Sequence, residues 1–282
     1  TMGVWCLNSF CHEHADVASR HVNLTLLSNA QVNSQGHRLT LLADGFAFLF
    51  EVFESSCPGW EWSLGGEYFR MAVALEDYIS KLRLGGVELV VFLDPNEGSE
   101  GSEKKSHELD KRNRQRCETI GQLMQLLHDG ERRRPDISKK LQEIGKSWQL
   151  PPGCTKQAIH TLRKMDVRIL TCEEEADNEL VRNLACIPGA YAILGNDSDF
   201  YLMRGARFIP LEHLEVTGAG PVCARVFSPE LVAESLCLSS DRLHELAALC
   251  GNDITTEFID KHAVARALGI PTVRSQHRGE RC

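Results

Sequence analysis

The residues of this chain best suited to chemistry are four carboxylates in the stretch TCEEEADNELVRNLACIPGAYAILGNDSDF, residues 171–200. Glu175 and Asp177 follow the apolar residues Val167, Ile169 and Leu170. They open a segment whose Leu180, Leu184 and Ala185 recur at helical spacing, which sets them at a helix N-terminus. Asp197 and Asp199 follow Tyr191, Ala192, Ile193 and Leu194, a buried strand bounded by Gly189 and Gly195. In a parallel α/β sheet, strand ends and helix starts meet along one edge, and ligands bind there. Either pair alone has an ordinary explanation. Acids in a first helical turn complement the helix dipole, and Asp after a strand is common turn chemistry. The balance shifts because Asp44, Asp94 and Asp253 close further apolar runs in the same manner.

Alternating strands and helices predict a doubly wound, mostly parallel sheet, which would bring all seven acids to one edge. So many carboxylates stay ionised together only with cations between them, because each raises its neighbours' pKa. Hard oxygen ligands select Mg²⁺, with Mn²⁺ as a substitute. Two such ions about 3.5 to 4 Å apart form the clamp used for in-line phosphodiester displacement.

The elements that must position these acids are readable in order. Residues 3 to 14 carry Val4, Leu7, Phe10 and Cys11 on one face, an amphipathic opening helix. Cys6, Cys11, His12 and His14 fit no usual zinc spacing, so core packing is the reading there. After a polar connection, Leu39 to Ala43 is a strand ending on Asp44-Gly45. Phe46, Phe50 and Phe53 recur on the next helix, with Phe46 and Phe53 read as core and Phe50 as a ring for a nucleobase. A helix over 68–84, closed by Gly85-Gly86, leads into the strongest buried strand, Val87 to Leu93, which ends on Asp94. Later elements are a helix over 155–165, a strand over 167–170, a hairpin around Gly205, a strand over 222–227, and helices over 229–236 and 241–249.

Residues 96–152 break the alternation and read as a helical insertion. The Gly/Ser/Glu-rich NEGSEGSEKKS is a loop, followed by a charged helix, a basic turn at Arg132, Arg133 and Arg134, and a second helix to about Trp148. Lys105, Lys111, Arg112 and Arg116 fall at helical spacing. Interleaved Glu103, Glu108, Asp110 and Glu118 also fit a solvated face of internal ion pairs.

At 282 residues with 43% hydrophobic and 25% charged content, the chain can bury a sizeable core. No run approaches the roughly 18 apolar residues of a membrane span, and no basic-then-apolar leader is present, which argues against secretion. Met2-Gly3 is read as the natural start. The 11 cysteines are odd in number and unpaired in spacing. Cys172, Cys186, Cys237 and Cys250 sit in apolar segments as small hydrophobes, so a reducing interior is expected. The net charge of −8 argues weakly against a nucleic-acid binder, but bound cations would offset the clustered acids, and basic residues concentrate between Lys104 and Lys146.

The motifs resemble flap endonucleases. MGVWCL is similar to their MGI-x-GL start, with Cys6 where a glycine is usual. Glu175-Ala176-Asp177 resembles their E-A-E/D motif, Asp197-Ser198-Asp199 their D-x-D motif, and Gly251-Asn252-Asp253 their G-x-D motif. KSHELDKR resembles the arch segment, which implies that Lys105 and Arg112 contact the scissile phosphate. Gly3, Phe50, Lys104, Lys111, Arg114, Arg116 and Arg132 to Arg134 are then expected to touch nucleic acid. DGFAFLF, LGGEY, EADNEL, NDSDFYL and LCGND most resemble the asteroid-homolog branch. The resemblance implies a single PIN-like nuclease domain over 1–282 with an arch-like insertion at 96–152. It further implies a monomeric, nuclear Mg²⁺-dependent endonuclease using two ions on single-stranded, overhang or flap DNA, with repair proteins as partners. Past Asp253, DITTEFIDKHAVARALGIP lacks the paired-glycine helical hairpin that grips duplex and potassium in flap endonucleases. Two other classes fit the same motifs: an inert PIN-like scaffold binding RNA or protein, and a PIN-like ribonuclease.

Overall fold

The computed structural model describes residues 7–56, 62, 67–94, 103–130, 150–151, 153–173, 176–218 and 220–250. Two apolar runs form its centre. In β2 (Leu39–Asp44) and β3 (Val87–Leu93) nearly every residue is buried, as befits strands covered on both faces. They pair in parallel, with Leu39 opposite Val87 and Asp44 opposite Phe92. β4 (Arg168–Thr171) extends the sheet beyond β3. On the other side of β2 lie β5 (Ala190–Gly195) and then β6 (Phe208–Pro210), both parallel. β8 (Val222–Phe227) turns the sheet antiparallel and holds both β7 (Leu214–Val216) and β1 (Ser19–Asn23). The order is β1-β8-β6-β5-β2-β3-β4, with β7 off that path on β8.

Strand alternation divides the core in two. Leu39, Leu41, Ala43, Val87, Leu89, Val91, Ala192 and Leu194 face one layer. That layer receives α4 (Gly45–Ser56), α5 (Tyr68–Leu84) and α7 (Cys154–Lys164) through Phe48, Leu49, Met71, Leu75, Ala158 and Leu162. Leu42, Val90, Phe92 and Ile193 face the other layer. There α1 (Leu7–Glu13), α2 (Ala15–Ala18), α8 (Ala176–Cys186), α9 (Pro229–Ser235) and α10 (Ser240–Cys250) pack through Leu7, Ala18, Leu180, Val232 and Leu243. The predicted mixed α/β architecture is therefore present, with an antiparallel border.

Several local expectations need correction. No hairpin forms at Gly205: a 3₁₀ turn over Ser198–Tyr201 carries the chain back so that β6 runs parallel to β5. The polar connection contains β1 and α3 (Leu24–Gln35), whose start is capped by the Asn23 side chain accepting from the Leu26 N–H at 2.9 Å. On α4 the core face is Phe48, Leu49, Val52 and Phe53. Phe46 is 41% exposed, because its position turns out of that stripe. Cys172 is buried as expected, but Cys186 and Cys237 are exposed. In the insertion one helix, α6 (Glu103–Gly130), begins inside the segment expected to be loop, so Lys104 and Lys105 are helical positions. The predicted basic turn at Arg132 to Arg134 and the second predicted helix lie outside the described residues. Among the described residues no helix is long and apolar enough to cross a membrane.

Candidate active site

β2 lies between β3 and β5, so the C-terminal ends of three adjacent parallel strands deliver Asp44, Asp94 and Asp197 to one edge. Chain direction reverses its lateral progress around β2, the switch point at which α/β sheets open a crevice. The fit between β2 and β5 is close. A Cβ built on Gly195 would stand 3.3 Å from the Asp44 Cβ.

Each of these acids is anchored by one oxygen on the start of a following helix or turn. Asp44 Oδ1 accepts from the N–H groups of Phe46 at 3.1 Å and Ala47 at 3.4 Å. Asp94 Oδ1 accepts from the Ala176 N–H at 3.2 Å, the first residue of α8. Asp197 Oδ1 accepts from the Asp199 N–H at 3.0 Å, opening the 3₁₀ turn. Capping accounts for each bond singly, as the sequence allowed.

Asp177, in the first turn of α8, has no such simple account. Its carboxyl is raised to about 7, first by burial and then by the charges of Asp197, Asp44, Asp94 and Asp199. Asp44 is raised as well, chiefly by burial and partly by Asp94, against the lowering effect of its backbone hydrogen bonds. Five carboxylates from three strand ends and one helix start thus act on one another. Burial and the charges of the other four together hold the proton of Asp177 near neutrality. The Cys172 thiol beside them is pushed up to about 12 by burial and by Glu179, Asp94 and Asp44, so it stays a thiol.

Carboxylate oxygens are the donor type that Mg²⁺ and Mn²⁺ favour, although among the described residues no three of these acids bring their ligand atoms within 4.8 Å of one another. Glu175 and Asp253 lie outside the described residues, as do Gly3 and Arg132 to Arg134. Positions 104, 105, 111, 112 and 116 lie on α6, a helix about 42 Å long at 1.5 Å per residue. Positions 105 and 112 are two turns apart along it. Arg114 is exposed. Phe50 is half-buried and packs against the inner cluster. Phe46, two residues past Asp44, is exposed and not part of the core, which the sequence hid because three phenylalanines at helical spacing read as a single stripe.

Comparison with solved structures gives the fold a precedent. The catalytic core of Rad2 in complex with DNA substrate matches at a TM-score of 0.56, with 16% identity, covering 95% of this chain and 68% of that one. The fold is that of the Rad2 catalytic core. A second Rad2 core with DNA substrate matches at 0.51 with 17% identity, covering 87% and 60%. The eukaryotic junction-resolving enzyme GEN-1 with sodium matches at 0.51 with 13% identity, covering 88% and 45%. This chain therefore spans from under half to about two thirds of the length of those chains. No family model and no curated relative matches it.

Proposed function

We propose that this chain is a divalent-metal-dependent, structure-specific endonuclease that cuts DNA at or beside single-stranded segments. The observation that carries the reading is the convergence of Asp44, Asp94, Asp177, Asp197 and Asp199, with Asp177 raised to about 7 by burial first and by the charges of the other four in addition. Strand-end caps alone do not require that crowding, and a cation does. The shared fold with cores solved on DNA substrate adds support.

These five acids, with Glu175 and Asp253 by sequence, would hold two Mg²⁺ ions, and Mn²⁺ in their stead. Bound ions of this kind supply Lewis-acid polarisation of a phosphodiester. The chain's own groups do the remainder. Asp177 releases its proton as the cluster takes up cations, so loading becomes easier above neutrality. Lys105 and Arg112 donate to the scissile phosphate as charge develops on it. Arg114 and the other basic positions of the insertion hold the backbone further from the chemistry, and Phe46 offers an aromatic face to an unpaired base.

The proposal extends to the asteroid-homolog branch on the strength of DGFAFLF, EADNEL and NDSDFYL. It includes a monomer acting in the nucleus with repair proteins, and a preference for overhangs over nicked duplex. The test is a rate series on labelled single-strand, overhang, flap and duplex substrates, in DNA and RNA, with Mg²⁺ or chelator. Fastest Mg²⁺-dependent cutting of DNA overhangs is expected. Equal or faster cutting of RNA would turn the reading to a ribonuclease, faster cutting of a double flap would reveal a duplex grip, and no cutting of any substrate would leave an inert scaffold.

A further inference from the structure

Beyond the carboxylate cluster, a second group of ligating side chains lies at the end of β6, the neighbour of β5. Glu212 and His213 sit on the 3₁₀ turn Leu211–His213 that follows β6, and His12 reaches them from α1. The turn is fixed to the sheet edge by the Leu211 N–H, which donates to Asn196 Oδ1 at 3.3 Å. His12 Nδ1 is 3.3 Å from Glu212 Oε1, and His213 Nε2 is 4.0 Å from that same oxygen. All three ligating atoms lie within 4.8 Å of one another.

An ordinary ion pair explains only part of this. His12 and Glu212 are 58% and 51% exposed, as a surface pair would be, but the His213 side chain is 14% exposed. Its Nε2 is buried, and among the described residues it has no hydrogen-bond partner. Leaving such an atom unsatisfied is costly, and an ion is one accepted reason for it. The His213 ring is set by packing against Phe227, with centroids 5.6 Å apart, and lies 5.4 Å from the His12 ring. The nearby cation Arg225 is engaged by Asp16 at 2.8 Å. Burial also holds His213 below the usual histidine range, although Glu212 opposes this, and the neutral imidazole is the ligating form.

We propose that His12, Glu212 and His213 form a separate binding site for a zinc-class transition-metal ion, clasping α1 to the turn between β6 and β7. Two imidazole nitrogens and one carboxylate oxygen suit zinc, whereas Mg²⁺ prefers oxygen alone. With zinc bonds of about 2.0 to 2.2 Å, tetrahedral ligand atoms stand about 3.3 to 3.6 Å apart. The His12–Glu212 separation already has that value. His213 Nε2, 4.0 Å from Glu212 Oε1, needs to approach it by about 0.4 to 0.7 Å. Three protein donors leave the fourth position to water.

The experiment uses untagged protein, stripped with chelator and titrated calorimetrically with Zn²⁺ in excess Mg²⁺, so that the carboxylate centre is filled. One equivalent is expected to bind and to raise the melting temperature. Losing even an outer partner of a ligand costs about 10 to 100-fold in metal affinity, so His12→Ala and His213→Ala should each weaken binding by more than tenfold. Asp197→Asn should leave it unchanged. Co²⁺ in place of Zn²⁺ should give the intense visible absorption of tetrahedral nitrogen and oxygen ligation, and His12→Ala should abolish it. His12 is exposed, so its variant folds and decides the matter even where His213→Ala does not. Full-affinity Zn²⁺ binding in His12→Ala, or loss of binding only in Asp197→Asn, would overturn the site.

Discussion

Asp94, just past the end of β3, accepts a hydrogen bond from the backbone of Ala176 at the start of α8, 82 residues further along the chain. Everything between these residues, the helix α6 and strand β4 included, leaves and returns to one point on the sheet edge. The same carboxyl group is therefore both a cap and a member of the acid cluster, and the two roles can be separated by substitution.

Asp94→Asn keeps an oxygen for the Ala176 N–H and removes a negative charge from the cluster. Without divalent metal it should melt at or above the wild-type temperature. With Mg²⁺ its single-turnover cleavage should fall by more than about 100-fold, beyond the loss typical of an outer partner to a metal. Asp94→Ala loses the cap too, and should cost about 0.5 to 2 kcal/mol of stability in chemical denaturation. Asp199→Asn should match the first variant in rate while substrate binding persists. Cleavage at the wild-type rate in either Asn variant would remove the metal reading.

Asp177 sets a pH dependence of known sign. Its folded-state pKa, about 7, lies above the ordinary aspartate value of 3.8. Its contribution to stability is thus fully present below the unfolded value and is lost as pH rises through about 7. The metal-free protein should melt at a lower temperature at about pH 8 than at about pH 5, and Mg²⁺ should restore the difference. Asp177→Asn should flatten most of this slope, with Asp44 supplying a remainder of the same sign. An unchanged slope in thermal melts of that variant would contradict the crowding.

The two kinds of basic residue on α6 should separate kinetically. Lys105→Ala and Arg112→Ala are expected to lower the single-turnover rate more than affinity, because contacts formed with the transition state act on the chemical step. Arg114→Ala should instead weaken binding and reduce the salt slope by about 0.7 per lost phosphate contact on a single strand. Filter-binding across a salt series, beside quenched-flow rates, distinguishes them. A Lys105→Ala variant with an unchanged rate and only weaker binding would sink its catalytic role.

Gly45 is a packing requirement of the centre. A Cβ there would stand 2.5 Å from both Leu93 Cδ2 and the Phe92 carbonyl oxygen. Gly45→Ala should therefore cost about 1 to 3 kcal/mol, the usual range for overpacking. It should also lower activity by displacing Asp44, a change that denaturant melts and Mg²⁺ titration of the rate would register together.

Legibility in the sequence followed local signal strength. β3 and α5 were readable to the residue, because a run of seven mostly apolar residues and a paired-glycine stop leave few alternatives. The positions of Asp44, Asp94 and Asp197 at strand ends were readable because each closes an apolar run. β1 and α3 were not, since SRHVN and LTLLSNAQVNSQ are largely polar and gain their order from pairing with β8 and from the Asn23 cap. β6 is three residues long, below what periodicity can register, so the neighbouring Gly205 was read as a hairpin. Phe46 and Phe48 differ by two positions, yet which of them faced the sheet depended on where α4 sits on β2. The His12–Glu212–His213 group was invisible because its members are brought together only by the fold.

The pairing of β1 with β8 sets a timetable for the nascent chain. Ser19 lies opposite Phe227 and Asn23 opposite Cys223. At about 5 to 20 residues per second of synthesis, roughly 10 to 40 s pass between the emergence of one strand and that of its partner. During that interval β1 is an unmatched strand, and the apolar faces of α1 and α2 await much of the layer they join. The border of the sheet must therefore close after the central strands have already met. Slow decoding upstream of residue 222 lengthens the exposure, and a chaperone that shields the first two helices during translation would raise the yield of folded protein.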